Sequence, residues 1–281
     1  MKWTIGKVKI SRILESEVTG GTIGILPDLI PENLLQHSWL QPNFIDEHGQ
    51  VIWSIQALIV ETPTKLIVVD TCIGNDKERG GGSFHHLKGP FLEDLKAAGY
   101  AREDIDTVLC THLHIDHVGW NTMKVNNEWV PTFPNARYLI SADEYHSLQA
   151  RENAIAYMID SVRPVFDAGL VDLVDANYEV CEEVSLVPTP GHTKGHVSVK
   201  ISSEGEEAFI TGDIMHSPSQ ILNADWGCTL DYDAQIAAKT RAEFVKKYTN
   251  HPALILGTHF PTPVGGHIRE EDGKLSFLSV D

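Results

Sequence analysis

The heptapeptide Thr111-His112-Leu113-His114-Ile115-Asp116-His117 restricts this chain more than any other segment. Three imidazoles and one carboxylate crowd six positions, and no packed core requires four such metal-hungry side chains so close together. In an extended segment the side chains at i and i+2 leave the same face, so His112 and His114 can converge on one ion. A turn just after them redirects Asp116 and His117 toward a second. Imidazole with carboxylate suits zinc or a comparable first-row divalent ion better than calcium or magnesium. Further polar residues recur at the carboxyl ends of apolar runs, where sheet folds gather functional groups. Asp70 follows Lys65–Val69, Asp213 follows Ala208–Gly212, and His259 follows Ala253–Thr258. His192 lies in Pro190-Gly191-His192-Thr193-Lys194-Gly195-His196, just after the apolar run Val184–Val187.

Taken in order, Asp70, the 112–117 block, His192, Asp213 and His259 resemble the metallo-β-lactamase superfamily over nearly the whole chain. Within it the chain looks like the methyl parathion hydrolase and acyl-homoserine lactonase branch, the former through the tail His259–Arg269. The resemblance implies an α/β fold, an αββα sandwich of two mixed β-sheets flanked by helices. It implies one metal on His112, His114 and His192, a second on Asp116, His117 and His259, and Asp213 bridging the two. Two divalent ions per chain follow, zinc first, with manganese, cobalt or iron accepted by the same ligands. β-Lactamases of the best-known zinc group carry cysteine where Asp213 stands, so the carboxylate points away from antibiotic degradation. The implied reaction is attack of a metal-bridging hydroxide on small esters or lactones, acyl-homoserine lactones among them. Phosphotriester hydrolysis is the alternative, followed by thioester hydrolysis and mononuclear iron persulfide oxygenation. The full set Asp116, His117 and His259 argues against the last.

Individual roles follow from the same resemblance. Asp116, a ligand with a spare oxygen, is the candidate to hand a proton to the leaving group. Asp70, Thr111 and His196 are expected to hold the ligand loops by hydrogen bonds. His216 stands three positions after Asp213, where some acyl-homoserine lactonases place a tyrosine against the substrate carbonyl; His216 can donate a similar hydrogen bond. His267 is expected to be structural, and His85-His86 to sit at the surface or pocket rim.

A chain of 281 residues, 42% hydrophobic, can form one substantial core over 1–281. Residues 20–50, with Pro27, Pro31, Pro42, Trp39 and Phe44, read as an irregular arm serving as lid or dimerisation contact. The formal charge of −17 repels phosphate backbones and excludes nucleic acid as a routine substrate. Cys72, Cys110, Cys181 and Cys228 form no Cys-x-x-Cys pair, as fits reduced thiols in the cytoplasm. No run has signal-peptide or membrane-spanning character, so no membrane partner is expected; the resemblance implies a homodimer acting on a small ester or lactone. Alternation predicts strands within 1–18, with the first ten residues as an edge strand, and within 51–70. Helices are expected over Phe91–Ala98, from a Ser141–Glu144 capping box toward Ala150, over Ala154–Asp167 with a break near Pro164, and over Asp233–Tyr248. The end, Gly266–Val280, predicts a hairpin turning at Asp272-Gly273.

Overall fold

Near-continuous apolar runs, whose successive side chains point to opposite faces, build strands with both faces buried. Leu58, Val60, Ile67 and Val69 enter one apolar cluster together with Val197, Val199, Ile210, Leu254 and Leu256. Their alternates Ala57, Ile59 and Val68 enter another, and Phe209 and Ile255 a third. The computed structural model describes residues 1–149 and 157–280. Its first half contributes β1 (Lys2–Ile5), β2 (Val8–Thr19), β3 (Ile52–Glu61), β4 (Leu66–Val69), β5 (Thr107–Cys110), β6 (Thr122–Val125), β7 (Glu128–Pro131), β8 (Arg137–Ser141) and β9 (Val171–Val174). The second half contributes β10 (Glu179–Cys181), β11 (Val184–Pro188), β12 (Val197–Ser203), β13 (Glu206–Ile210), β14 (Leu254–Leu256), β15 (Gly265–Glu271) and β16 (Lys274–Ser279).

Two seven-stranded sheets result, in the orders β1-β2-β3-β4-β5-β8-β9 and β10-β11-β12-β13-β14-β15-β16, while β6 and β7 form a separate hairpin. Both sheets are mixed, with parallel pairs at β4/β5, β5/β8, β8/β9 and β13/β14. One cluster fills the space between the sheets. Helix Phe91–Ala97 and the segment 158–167 close the outer face of the first sheet, and helix Ala234–Tyr248 that of the second. This is the expected αββα sandwich.

Several elements differ in detail from their sequence expectation. The first ten residues are a hairpin turning at Gly6 (φ 54°) rather than a single strand, with β1 at the sheet edge. Helix Ala142–Gln149 forms without the predicted capping box: Ser141 Oγ is buried with no partner, and Glu144 turns elsewhere. The 154–167 prediction becomes a π-helical turn at Met158–Val162 and a helical turn at Arg163–Asp167, with Pro164 at its start, where a missing N–H costs little. Its first residues, and the continuation to Ala150, lie outside the described residues. Helix Ala234–Tyr248 matches, capped by Asp233, whose carboxylate accepts the Gln235 and Ile236 N–H groups at 3.0 Å. The terminal hairpin turns at Asp272 (φ 49°) and Gly273 (φ 72°), both left-handed as a two-residue hairpin turn requires.

Residues 20–50 hold a short helix, Pro31–Leu34, and a single bridge between Ile45 and Val51. Leu26, Leu29, Leu34, Leu40, Phe44 and Ile45 are buried against the outer side of the second sheet. Burial of each such side chain contributes about 2 kcal/mol, which fixes an arm that has little regular structure of its own. No described helix is long and apolar enough to cross a membrane.

Candidate metal centre

Because β4 and β5 run parallel, as do β13 and β14, the carboxyl ends of each pair lie side by side. Asp70 follows β4, Thr111–His117 follow β5, Asp213 follows β13, and His259 follows β14. His192 comes from the loop between β11 and β12. His112, His117, His192, Asp213 and His259 are at most 3% exposed, whereas His114 and Asp116 are half-buried at the rim. The structure brings all seven together. Three sets of donors fall within 4.8 Å of one another: His112, His114 and His192; His112, His117 and Asp213; and Asp116, His117 and His259. Asp213 lies between, with Oδ2 3.3 Å from His192 Nε2, 3.4 Å from His117 Nε2 and 3.6 Å from His112 Nε2, and Oδ1 3.4 Å from His259 Nε2.

The outer nitrogens of these rings face acceptors. His117 Nδ1 lies 3.0 Å from Asp70 Oδ2, His192 Nδ1 2.8 Å from Asp231 Oδ1, and His259 Nδ1 2.8 Å from the Ser54 carbonyl. The Thr111 hydroxyl donates to Asp70, so its lone pair is left to accept from His112 Nδ1 at 3.2 Å. A neutral ring with its proton on Nδ1 turns a bare Nε2 lone pair inward. In that form His117 Nε2 and His259 Nε2 face each other at 3.3 Å as two lone pairs, a contact that calls for positive charge between them. His112 Nε2 and Asp213 Oδ1 are likewise buried without a hydrogen-bond partner. Lone pairs converging on one another in a buried space are what a cation satisfies, so the donor set fits a metal pair.

Electrostatics agree. Burial, reinforced by neighbouring imidazoles, pushes His112 well below its ordinary pKa and His114 down to about 3, which keeps both rings unprotonated. Burial also opposes a charge on His117, yet Asp213, Asp70 and Asp116 outweigh it and raise the pKa, a measure of how strongly this spot attracts positive charge. Burial works against ionisation of Asp213 and Asp116 as well, but the surrounding histidines, His259 and His117 foremost, hold both carboxyls below their usual range.

Around the cluster, Asp70 accepts the Thr111 N–H at 2.8 Å and the Thr111 hydroxyl. His196 takes the Asp213 N–H on Nε2 at 2.9 Å and passes its own proton toward Thr189 Oγ1 at 2.8 Å. Burial lowers its pKa to about 3, consistent with an accepting, neutral ring. Gly212 makes this approach possible: its φ is +59°, and a Cβ there would stand 2.5 Å from His196 Nε2. His216 Nε2 lies 3.3 Å from Asp213 Oδ2, its ring stacks parallel on His259, and its Nδ1 is buried without a partner. His267 bonds the Ala253 carbonyl through Nδ1.

Three positioning residues escaped the sequence reading. Glu144, 1% exposed, accepts the Leu113 N–H and the Gly195 N–H, each at 3.1 Å, and so ties the 111–117 loop to the 190–196 loop. Asp231 orients His192 and also accepts the Cys228 N–H at 3.0 Å. Glu15 sits at a register shift between β2 and β3, the kind of irregularity that re-aims a side chain. It accepts from Ile73 N, Gly74 N and Trp120 Nε1, bracing the segments on both sides of the cluster. Burial raises the Glu15 pKa despite these donors.

The family model described as the Metallo-beta-lactamase superfamily matches residues 52–259. An N-acyl homoserine lactonase of a Bacillus species is 30% identical over 158 residues, 52% of this chain and 57% of that protein. A probable metallo-hydrolase of Mycobacterium tuberculosis is 27% identical over 188 residues, 57% of this chain and 56% of that protein. The matched segments thus span just over half the length of these curated relatives. Among solved structures, the hydrolase AbOPH, described as in the beta lactamase superfamily, superposes with a TM-score of 0.80 at 26% identity, covering 100% of this chain and 97% of that one. AidC, described as a dizinc quorum-quenching lactonase in complex with a product, shares the fold with a TM-score of 0.79 at 24% identity and the same coverage.

Proposed function

Because this chain belongs to the metallo-β-lactamase superfamily, we propose that it is a dinuclear-metal hydrolase of small lactones or esters. The observation that carries this reading is the pair of inward Nε2 atoms of His117 and His259, 3.3 Å apart beside the Asp213 carboxylate. His112, His114 and His192 would hold one divalent ion and Asp116, His117 and His259 the other, with Asp213 between them. Zinc suits this nitrogen-rich set best, and manganese, cobalt or iron are accepted by the same donors. When bound, the ions supply Lewis acidity to an acyl oxygen and to water. Lactones come forward as the substrate class because the relative at 30% identity is an N-acyl homoserine lactonase.

The remaining work falls to the chain's own groups. Asp70, Asp231 and the Ser54 carbonyl keep three imidazoles aimed inward, so no reorganisation is needed as charge develops. His216, whose Nε2 faces the cluster 3.3 Å from Asp213 Oδ2, is the group placed to donate to the acyl oxygen. Asp116, 17% exposed at its side chain and held ionised, faces the approach to the cluster. Water oxygen bonds to the acyl carbon, the bond from that carbon to the ring oxygen breaks, and Asp116 relays the water proton to the departing oxygen. The arm shapes one wall: the carbonyls of Gly24 and Ile25 accept from Thr229, two residues before Asp231. Cysteines free of disulfides fit a cytoplasmic setting, and we take the working form to be a homodimer.

Metal analysis and a pH-stat screen of acyl-homoserine lactones, simple lactones and aryl esters test the reading. Two ions per chain and one acid equivalent per ring opened are expected. One iron per chain with oxygen uptake and no acid release would reject it. Asp213→Ala should lose both metal and turnover; undiminished turnover removes Asp213 from its bridging place.

A further inference from the structure

A second set of donors stands together outside the buried cluster, on the loop between β4 and helix Phe91–Ala97. Glu78 Oε1 lies 3.1 Å from His85 Nδ1, and Oε2 lies 3.3 Å from His86 Nε2. One donor atom of each residue falls within 4.8 Å of the other two. Donors held at zinc-nitrogen and zinc-oxygen distances of about 2.0–2.1 Å sit about 3.3 Å apart in a tetrahedral shell, so these separations fit a shared ion. The rings are tilted by 56° with centroids 4.1 Å apart, converging rather than stacking flat.

His86 is set for this purpose. Its φ of 51° is a left-handed conformation that costs a non-glycine residue about 1–2 kcal/mol. Its N–H bonds the Lys77 carbonyl at 2.9 Å, and Nδ1 donates to the Asp76 carbonyl at 3.3 Å, which turns the Nε2 lone pair to Glu78. A carbonyl that fixes the tautomer in this way is the usual support of a metal-binding imidazole. His85 Nδ1 lies 3.1 Å from both the Arg79 N–H and Glu78 Oε1, and an ion bound there would take its single lone pair in place of the Arg79 N–H. The base of the loop is anchored: Arg79 makes a two-pronged contact with Asp160 at 2.6 and 3.0 Å, and Lys77 Nζ bonds Thr122 Oγ1 at 2.6 Å. At the tip, the Gly80 N–H donates to Glu78 Oε1 at 3.4 Å and the Gly82 carbonyl accepts the His85 N–H at 3.3 Å, while a Cβ on Gly80, Gly81 or Gly82 would meet nothing within 4 Å. The side chains of Glu78, His85 and His86 are 68%, 30% and 49% exposed, which leaves room for water to complete a shell.

We propose that Glu78, His85 and His86 form a peripheral divalent-metal site, suited to zinc, nickel or copper(II), that clasps the glycine tip onto its anchored base. Occupancy reaches the pocket through Phe84, whose ring packs on Trp53 with centroids 6.4 Å apart, while Trp53 lies 5.9 Å from His259. Closing the clasp therefore fixes an aromatic wall beside the buried cluster. The site stands on the geometry of its own loop and does not depend on how the buried cluster is read.

The test compares the wild-type chain with the His85→Ala/His86→Ala pair by equilibrium dialysis against buffered free zinc, followed by metal analysis. Wild type should carry one more ion per chain, the first to be lost to a chelator, and Glu78→Gln should weaken that ion about tenfold. Copper(II) added to zinc-loaded wild type should give an electron paramagnetic resonance signal with coupling to two nitrogens, absent from the double variant. Equal metal content in both proteins across the free-zinc range, with no difference in the copper signal, overturns the proposal. Thermal melts by circular dichroism verify that these loop variants fold. Failure of the buried pair would show as fewer than two ions in the double variant, a separate result from the wild-type excess.

Discussion

Replacing Glu144 with glutamine probes whether one buried carboxylate holds two ligand-bearing loops together. Its oxygens accept the Leu113 and Gly195 amides at 3.1 Å each, and among the described residues no cation pairs with it. Hydrogen bonds to an ionised acceptor contribute roughly 1.5–3 kcal/mol each. Glutamine keeps one oxygen but points an NH2 group at the other amide, so one bond is lost with donor facing donor, and the survivor loses its charge assistance. The sum is about 3–4 kcal/mol, a melting-point drop of roughly 6–12 °C in a chain of this size. The backbone offers no slack for repair, because Gly195 packs directly against the Glu144 backbone and any Cβ there would collide with it. Slackened loops should also loosen metal by roughly 10–100-fold. Calorimetry and chelator competition for zinc read both effects. Ser141→Ala is the control at the start of the same helix; its hydroxyl is buried without a partner, so its loss should cost under about 0.5 kcal/mol. If Glu144→Gln melts within 2 °C of wild type (roughly the change expected from 1 kcal/mol) and keeps zinc as tightly, the clasp between the loops is refuted.

His216→Phe should keep the stacking on His259 and the metal content while lowering kcat about 100–1,000-fold, the loss expected for one donor to the developing oxyanion; steady-state kinetics alongside metal analysis check it, and an unchanged kcat leaves His216 with a packing role only. Lys77 gives a pH signature. Burial draws its ammonium down to about 7 against the pull of Asp160, from an ordinary value of 10.5. Between those pH values the unfolded chain binds the extra proton, so this residue's contribution to stability rises with pH and is flat below about 7. The unfolding free energy of wild type relative to Lys77→Met should therefore climb by about 2–3 kcal/mol from pH 7 to 9.5 in denaturant titrations. A pH-independent difference would show that the buried amine keeps its proton.

Legibility followed the range of the interactions involved. His112, His114, Asp116 and His117 could be read because one short loop carries them, and Asp70, Asp213 and His259 because each ends an apolar run. The Asp272-Gly273 turn was legible for the same local reason, since two left-handed residues in succession are a backbone requirement. Ser141 and Glu144 have the spacing of a capping box, but two amides on distant loops compete for the carboxylate, and tertiary contacts outweigh the local bond. Asp231 is 39 residues from His192, and no spacing announces their 2.8 Å contact. Glu15 reaches its partners only because pairing slips between Leu14 and Ser16, and a slip in register leaves no compositional trace.

The first sheet draws only on the chain up to β9, with β6 and β7 set apart as a hairpin, and the second on β10 to β16. Their donors divide along the same seam: His112, His114, Asp116 and His117 on one side, His192, Asp213 and His259 on the other. Neither half of the polypeptide therefore contains the centre. It comes into being only when the halves dock, and an ion gripped from both sides would act as a bolt across the join. Loss of metal would then loosen the alignment of the two layers at that edge, while the apolar cluster they share still holds them together.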